Sequence, residues 1–399
     1  MFFILIYRIL ELLSITNRAS IFCIIVSVCA HHYAFFCFFI FTFYKRLGLF
    51  FKKLKKKVFF TLKCYIFLFT FRALLATITL VRKFRTHILV LLNIILFSKE
   101  IFEMADLKAG FYTALGTPLD KNGDVVEASL RRQIDMQIEA GASGLLLLGS
   151  MGIQAAVKTS AWAKAAEIAA DQVNGRVALF VGAMDCSGWR VKERLAMLKG
   201  LNIDGVVLTA PYYSPVSPAG LYKYFSEAAD ATEHPLYLYD LPGVTQVSLG
   251  LQLVSQLIDA GKIKGIKSGN IVLARQIHFA YPDFNVLFSN IDAFDVALSF
   301  GSINKVLDGM FACTPKNAKL FVEAYKAGDI ESAGKYLNKI LWFRDQLIGG
   351  HPGANLLYVF TVAMNLLGMD GIYCPDYFYT PEVDITAKVR EQLESIGEL

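Results

Sequence analysis

The chain has 399 residues, enough for one barrel-sized domain plus an additional segment. Its net charge of +6 is unevenly placed: residues 1–103 carry 15 Lys and Arg against 3 Asp and Glu, and the remainder carries 25 against 31. The globular part is therefore mildly acidic, which excludes a nucleic-acid footprint; seven scattered cysteines without a C-x-x-C pair argue against a zinc site or disulfide framework and fit a reducing, cytoplasmic setting.

Residues 1–103 contain no Pro, no Asp and a single Gly, but 19 of the 32 Phe. Two apolar runs, 21–44 and 58–80, have the length of transmembrane helices, with the basic stretch 45–57 between them on a cytoplasmic face. A cleavable secretory signal fits poorly, because the first run is too long and lacks a clean small-residue cleavage site. The same composition is also what A/T-rich DNA yields on translation. Lys99-Glu100 permits a purine-rich ribosome-binding sequence, followed by a short spacer, ahead of Met104. The expected start of the functional protein is Met104, and a membrane anchor is the competing reading of residues 1–103.

From Ala109 onward, short apolar runs alternate with amphipathic stretches. Strands are expected at 111–115, 144–148, 177–181, 205–209, 236–239, 263–267, 286–289 and 305–307. Between the first two, Leu130, Ile134 and Ile138 recur every four residues, the mark of one helix face. Eight such units, without the dinucleotide fingerprint G-x-G-x-x-G, point to a closed (β/α)8 barrel over residues 104–315 rather than a doubly wound sheet. Residues 316–399 hold the last barrel helix and a C-terminal helical appendage, with helices expected at 318–327, 330–348 and 355–367.

Catalytic side chains of such barrels come from the C-terminal ends of strands. Three ends carry candidates: Gly149-Ser150-Met151-Gly152, Tyr239-Asp240-Leu241-Pro242 and Lys267-Ser268-Gly269. Strand alternation puts Lys264 and Lys267 on opposite faces, so one of them points inward, and Lys267 sits at the end that faces an active site. A desolvated lysine there can attack a ketone as the free amine. Tyr239, on the preceding strand, is placed beside it to move protons, whereas Tyr237, one step deeper on the same face, reads as packing. Ser150 offers a hydroxyl, and its loop offers backbone N–H groups suited to a carboxylate.

Together these pieces resemble the dihydrodipicolinate synthase / N-acetylneuraminate lyase family of class I aldolases, from about Lys108 to the C-terminus. Gly149-Ser150-Met151-Gly152 resembles the family's G-[ST]-T-G-E loop, Pro211-Tyr212-Tyr213 precedes a Ser-Pro-rich turn, and Tyr239-Asp240-Leu241-Pro242 resembles Y-N-x-P. The strand ending at Lys267 looks like the Schiff-base strand. The resemblance implies that Lys267 forms an imine with a pyruvate-like 2-oxo acid, that Tyr239 shuttles protons with Ser150 as relay, and that Tyr213 completes the relay from a neighbouring subunit of a dimer or tetramer. It implies carboxylate binding by the N–H groups of Ser150 and Met151 in the loop that begins at Gly149, and it requires no cofactor or metal.

The departures are specific. Met151 replaces the loop's second hydroxyl residue, removing a charge-assisted hydrogen bond worth about 1.5–3 kcal/mol. Ile153 stands at the motif's glutamate, and Val244 stands where dipicolinate synthases carry an arginine for the second substrate's carboxylate. The expected activity is therefore a lyase or aldolase acting on a sugar acid or another 2-oxo acid. The alternatives are 4-hydroxy-tetrahydrodipicolinate synthase and a non-catalytic 2-oxo acid-binding barrel, the latter hard to square with a retained proton relay.

Overall fold

The computed structural model describes residues 107–299, 301 and 303–399. The apolar runs at 21–44 and 58–80 and the start expected at Met104 lie outside the described residues. Among the described residues no helix is long and apolar enough to cross a membrane. The unit Ala105–Leu399 is compact by itself.

Eight parallel strands close into a barrel in chain order: β1 (Gly110–Ala114), β2 (Gly144–Leu147), β3 (Ala178–Gly182), β4 (Gly205–Thr209), β5 (Leu236–Asp240), β6 (Gly265–Ser268), β7 (Asn285–Phe288) and β8 (Lys305–Asp308). β1 pairs with both β2 and β8, so no edge is left open. The expected strands are all present, β4 at the expected bounds and the others with an end displaced by one or two residues. The largest displacement is in β6, where the ladder to β5 and β7 begins at Gly265. Ile263 is buried, but in the outer core ahead of that ladder.

Period-two alternation sorts the strand residues into two cores. One parity, including Leu145, Leu179, Val206, Leu238 and Ile266, packs under the surrounding helices. The other fills the barrel with Tyr112, Leu146, Phe180, Val207, Tyr237, Tyr239, Leu287 and Leu307. The aromatic rings need space that glycines on neighbouring strands provide. A Cβ at Gly144 would lie 2.5 Å from the Tyr112 ring, and one at Gly265 would lie 2.2 Å from the Tyr237 ring.

Beyond the last barrel helix, Pro315–Lys326, the chain adds Ile330–Gly349 and Leu356–Leu366, close to the expected ranges. A further helix, Thr386–Ile396, was not expected from the sequence; it buries Val389, Leu393 and Ile396. Just past it, the Glu398 carboxylate accepts hydrogen bonds from the Lys316 and Asn317 N–H groups, at 3.1 and 2.8 Å. A carboxylate at that helix N-terminus satisfies orphan donors and complements the helix dipole, which ties the C-terminus to the barrel.

Candidate active site

Strand pairing brings the two central candidates side by side. Tyr239 and Lys267 are register partners on β5 and β6, both are 6% exposed, and Lys267 Nζ lies 3.6 Å from the centre of the Tyr239 ring. A cation over a ring face is attracted by the ring quadrupole, so the tyrosine steadies the lysine as well as neighbouring it. The Tyr239 hydroxyl is in turn 3.1 Å from Ser150 Oγ. Lysine, tyrosine and serine from three strand ends thus meet at the C-terminal mouth, the face where barrels of this class place their chemistry.

The next residue on each strand faces the other way and locks this pair from behind. Asp240 and Ser268 are also register partners, and the Ser268 hydroxyl donates to Asp240 Oδ2 at 3.0 Å. Asp240 Oδ1 accepts from the Leu249 N–H at 3.0 Å. Both side chains are buried, so these bonds hold the two strand ends in low dielectric. The sequence offered Asp240 and Ser268 only as pieces of motifs; their joint role needed the register.

The loop after β2 is held in an uncommon backbone conformation. Leu148 and Ile153 have φ values of 55° and 46°, a region that costs a β-branched residue like Ile153 about 1–3 kcal/mol. Ile153 is buried, and the loop's polar anchors come from elsewhere: Thr117 Oγ1 donates to Gly152 O at 2.7 Å, and Gln154 Nε2 donates to Met184 O. The loop is thereby fastened to the segments following β1 and β3. Among the described residues neither the Ser150 nor the Met151 N–H has an acceptor. Two successive N–H groups left open in this way are of the kind that accept an anion, and the Ser150 side chain of the same loop meets the Tyr239 hydroxyl.

The remaining candidates are dispersed. Val244, in the short helix Pro242–Thr245, is 51% exposed and brings no charge. Tyr213 is 84% exposed, and among the described residues no hydrogen bond joins it to Lys267, Tyr239 or Ser150. Its neighbour Tyr212 is half-buried, and burial followed by a hydrogen bond with Cys186 pushes its phenol up to about 12. Asp308 was not expected. It ends β8 half-buried, its pKa raised by burial against the opposing pull of the Met310 N–H and the Lys267 and Arg344 charges. A carboxyl closing an apolar strand was the available signal, but the expected strand stopped one residue short of it.

The profile of the Dihydrodipicolinate synthetase family matches residues 107–397. A 4-hydroxy-tetrahydrodipicolinate synthase of Pelobacter propionicus is 32% identical over 226 residues, covering 56% of this chain and 78% of the relative. One from Gluconacetobacter diazotrophicus is 27% identical over 293 residues, covering 72% and 97%. Among solved structures, the E. coli K12 prophage protein YagE, crystallised in complex with pyruvate, superposes with a TM-score of 0.64 at 25% identity, covering 73% of this chain and all of YagE. The match takes in nearly the whole length of the Gluconacetobacter relative and of YagE, and the closed barrel described above superposes on YagE. The chain is an enzyme of the lyase and aldolase kind and belongs to the dihydrodipicolinate synthetase family.

Proposed function

We propose that Lys267 forms an iminium with the keto carbon of a pyruvate-type 2-oxo acid and that this iminium drives formation or cleavage of the adjacent C–C bond. The observation that carries the reading is the contact chain from Lys267 Nζ over the Tyr239 ring to Ser150 Oγ. The amine adds to the ketone, the carbinolamine loses water, and the Tyr239 hydroxyl, relayed through Ser150, delivers and removes the protons. The iminium then takes up the electron pair released when a C3 proton leaves, giving an enamine that adds to an aldehyde; cleavage runs the same steps backward. Water finally returns the lysine to its free amine. The substrate carboxylate takes the open N–H groups of Ser150 and Met151, with Gly149 allowing the loop its approach.

For the second substrate, the curated relatives favour aspartate semialdehyde, because they are named 4-hydroxy-tetrahydrodipicolinate synthases. This outweighs the expectation of a sugar acid drawn from the motif departures. One observation keeps the sugar-acid reading as a second candidate: Val244 provides no cation for the semialdehyde's carboxylate, and a carboxylate without a partner is costly to bind. A comparison of kcat/KM for the two substrates on one preparation decides between them.

The test of the chemistry is trapping. Borohydride with pyruvate is expected to add a reduced adduct to the peptide containing Lys267 and none to a Lys267→Arg variant. Labelling elsewhere, or none with any short 2-oxo acid, overturns the assignment. We further assign catalysis to residues from 104 onward, in the cytoplasm, in dimers or tetramers. The exposure of Tyr213 supports its action in a neighbouring copy; mass spectrometry of cell extracts is expected to find no peptide from residues 21–96, and finding one would overturn the assigned start.

A further inference from the structure

Gly309 follows the last residue of β8 and has φ −78° and ψ −24°, a right-handed conformation open to any residue. The backbone therefore gives no reason for glycine here. Space does. A Cβ built at Gly309 would have as its three nearest atoms Met151 Cε and Cγ at 2.9 Å and Met151 Cβ at 3.0 Å. All three belong to one side chain, and they span it from root to tip. Swinging the terminal methyl alone cannot clear the contact; the whole Met151 side chain or its loop must move.

We propose that Gly309 is a positioning residue for the carboxylate recess. It gives Met151 a slot against the end of β8, and so keeps that long side chain from folding over the open N–H groups of Ser150 and Met151. Met151 is half-buried and packs on the inner cluster that contains Tyr239 and Leu307, so its side chain already lies along the barrel wall. The pair acts as a unit: a long apolar side chain in the carboxylate loop is compatible with 2-oxo acid binding because the facing residue has no side chain. The inference rests on the proposed imine chemistry, and its test separates the two.

The experiment is a cycle of Gly309→Ala, Met151→Ala and the double variant, reading the pyruvate concentration that half-saturates borohydride trapping and the extent of labelling at saturation. Gly309→Ala in the wild-type background is expected to raise the half-saturating concentration by about tenfold, with little change in saturated labelling. The same substitution in the Met151→Ala background is expected to shift it less than about twofold. Equal shifts in both backgrounds, or no shift in the first, overturn the inference while leaving the imine assignment standing. If wild type itself traps no 2-oxo acid, the imine assignment falls and takes this inference with it. Should Gly309→Ala fail to fold, the double variant decides: folding and trapping support Met151 as the obstacle, and failure of both refutes it.

Discussion

Two tyrosines two residues apart on β5 point into the same barrel, and they differ in everything but chemistry of the side chain. Tyr237 is packed at the lower level, with the Phe180 ring centred 4.8 Å away and with Gly205 and Gly265 flanking it. Burial raises its phenol above the ordinary tyrosine value, so its proton stays in place. Tyr239, one step nearer the mouth, has Lys267 over its ring and Ser150 at its hydroxyl. The lower level is tightly filled by rings, which suits a structural plug; the upper level brings an amine and two hydroxyls together, which suits proton transfer. Height along the strand, not residue type, separates the packed ring from the proposed reagent.

This contrast can be broken most directly by removing one hydroxyl at a time. Tyr239→Phe is expected to lower turnover about 10²–10⁴-fold with the fold intact. Tyr237→Phe is expected to leave turnover near wild type and to change stability by only about 0.5–1.5 kcal/mol. Steady-state kinetics and denaturant melts on the two variants make the comparison, and equal losses of turnover would place both rings in the chemistry.

The lower level can be probed through its spacing. Gly265→Ala places a methyl group where the Tyr237 ring already stands, at 2.2 Å. Overpacking of this kind costs about 1–3 kcal/mol, and more where backbone blocks relaxation. Thermal melting is expected to show the loss, and Tyr237→Leu in the same chain is expected to recover part of it. Without that recovery, the glycine is needed for its own ladder rather than for the ring.

The smallest expected effect lies outside the barrel, in the C-terminal helices. His351 is buried and its Nε2 lies 2.9 Å from Gln392 Oε1, while burial holds its imidazole pKa below 6.5. The unfolded chain therefore takes up this proton first as pH falls. The histidine's contribution to stability is complete above pH 6.5 and is lost as pH drops through 6.5 toward the folded value. His351→Gln is expected to flatten stability across that window without altering substrate trapping. An unchanged pH slope would assign the dependence to other groups.

Much of the barrel was legible because strands and helices have different periods, and eight alternations leave few architectures open. Leu130 and Ile134, read as one helix face, are both fully buried. The helix Thr386–Ile396 carries only a faint signal in the sequence, because its apolar residues Val389, Leu393 and Ile396 are few and set among charges; it is stabilised mainly by the surface it covers. Lys267, Tyr239 and Ser150 stood out because strand ends are where reactive side chains collect. Asp308 and Gly309 did not, because neither belongs to a motif and their significance lies in what crosses the barrel mouth to meet them.

By itself, the order of residues determined the alternation of strands and helices, the inward parity of Tyr237, Tyr239 and Lys267, and the family resemblance carried by short motifs. These are local properties, set by side-chain period and by residues close in the chain. Only the closed barrel decided that Tyr239 and Lys267 are register partners, that Asp240 and Ser268 clamp them from behind, and that Met151 lies against Gly309 from 158 positions away in the chain. Those facts depend on closure and stagger, which bring the far ends of different strands to one rim and exist nowhere in a single segment.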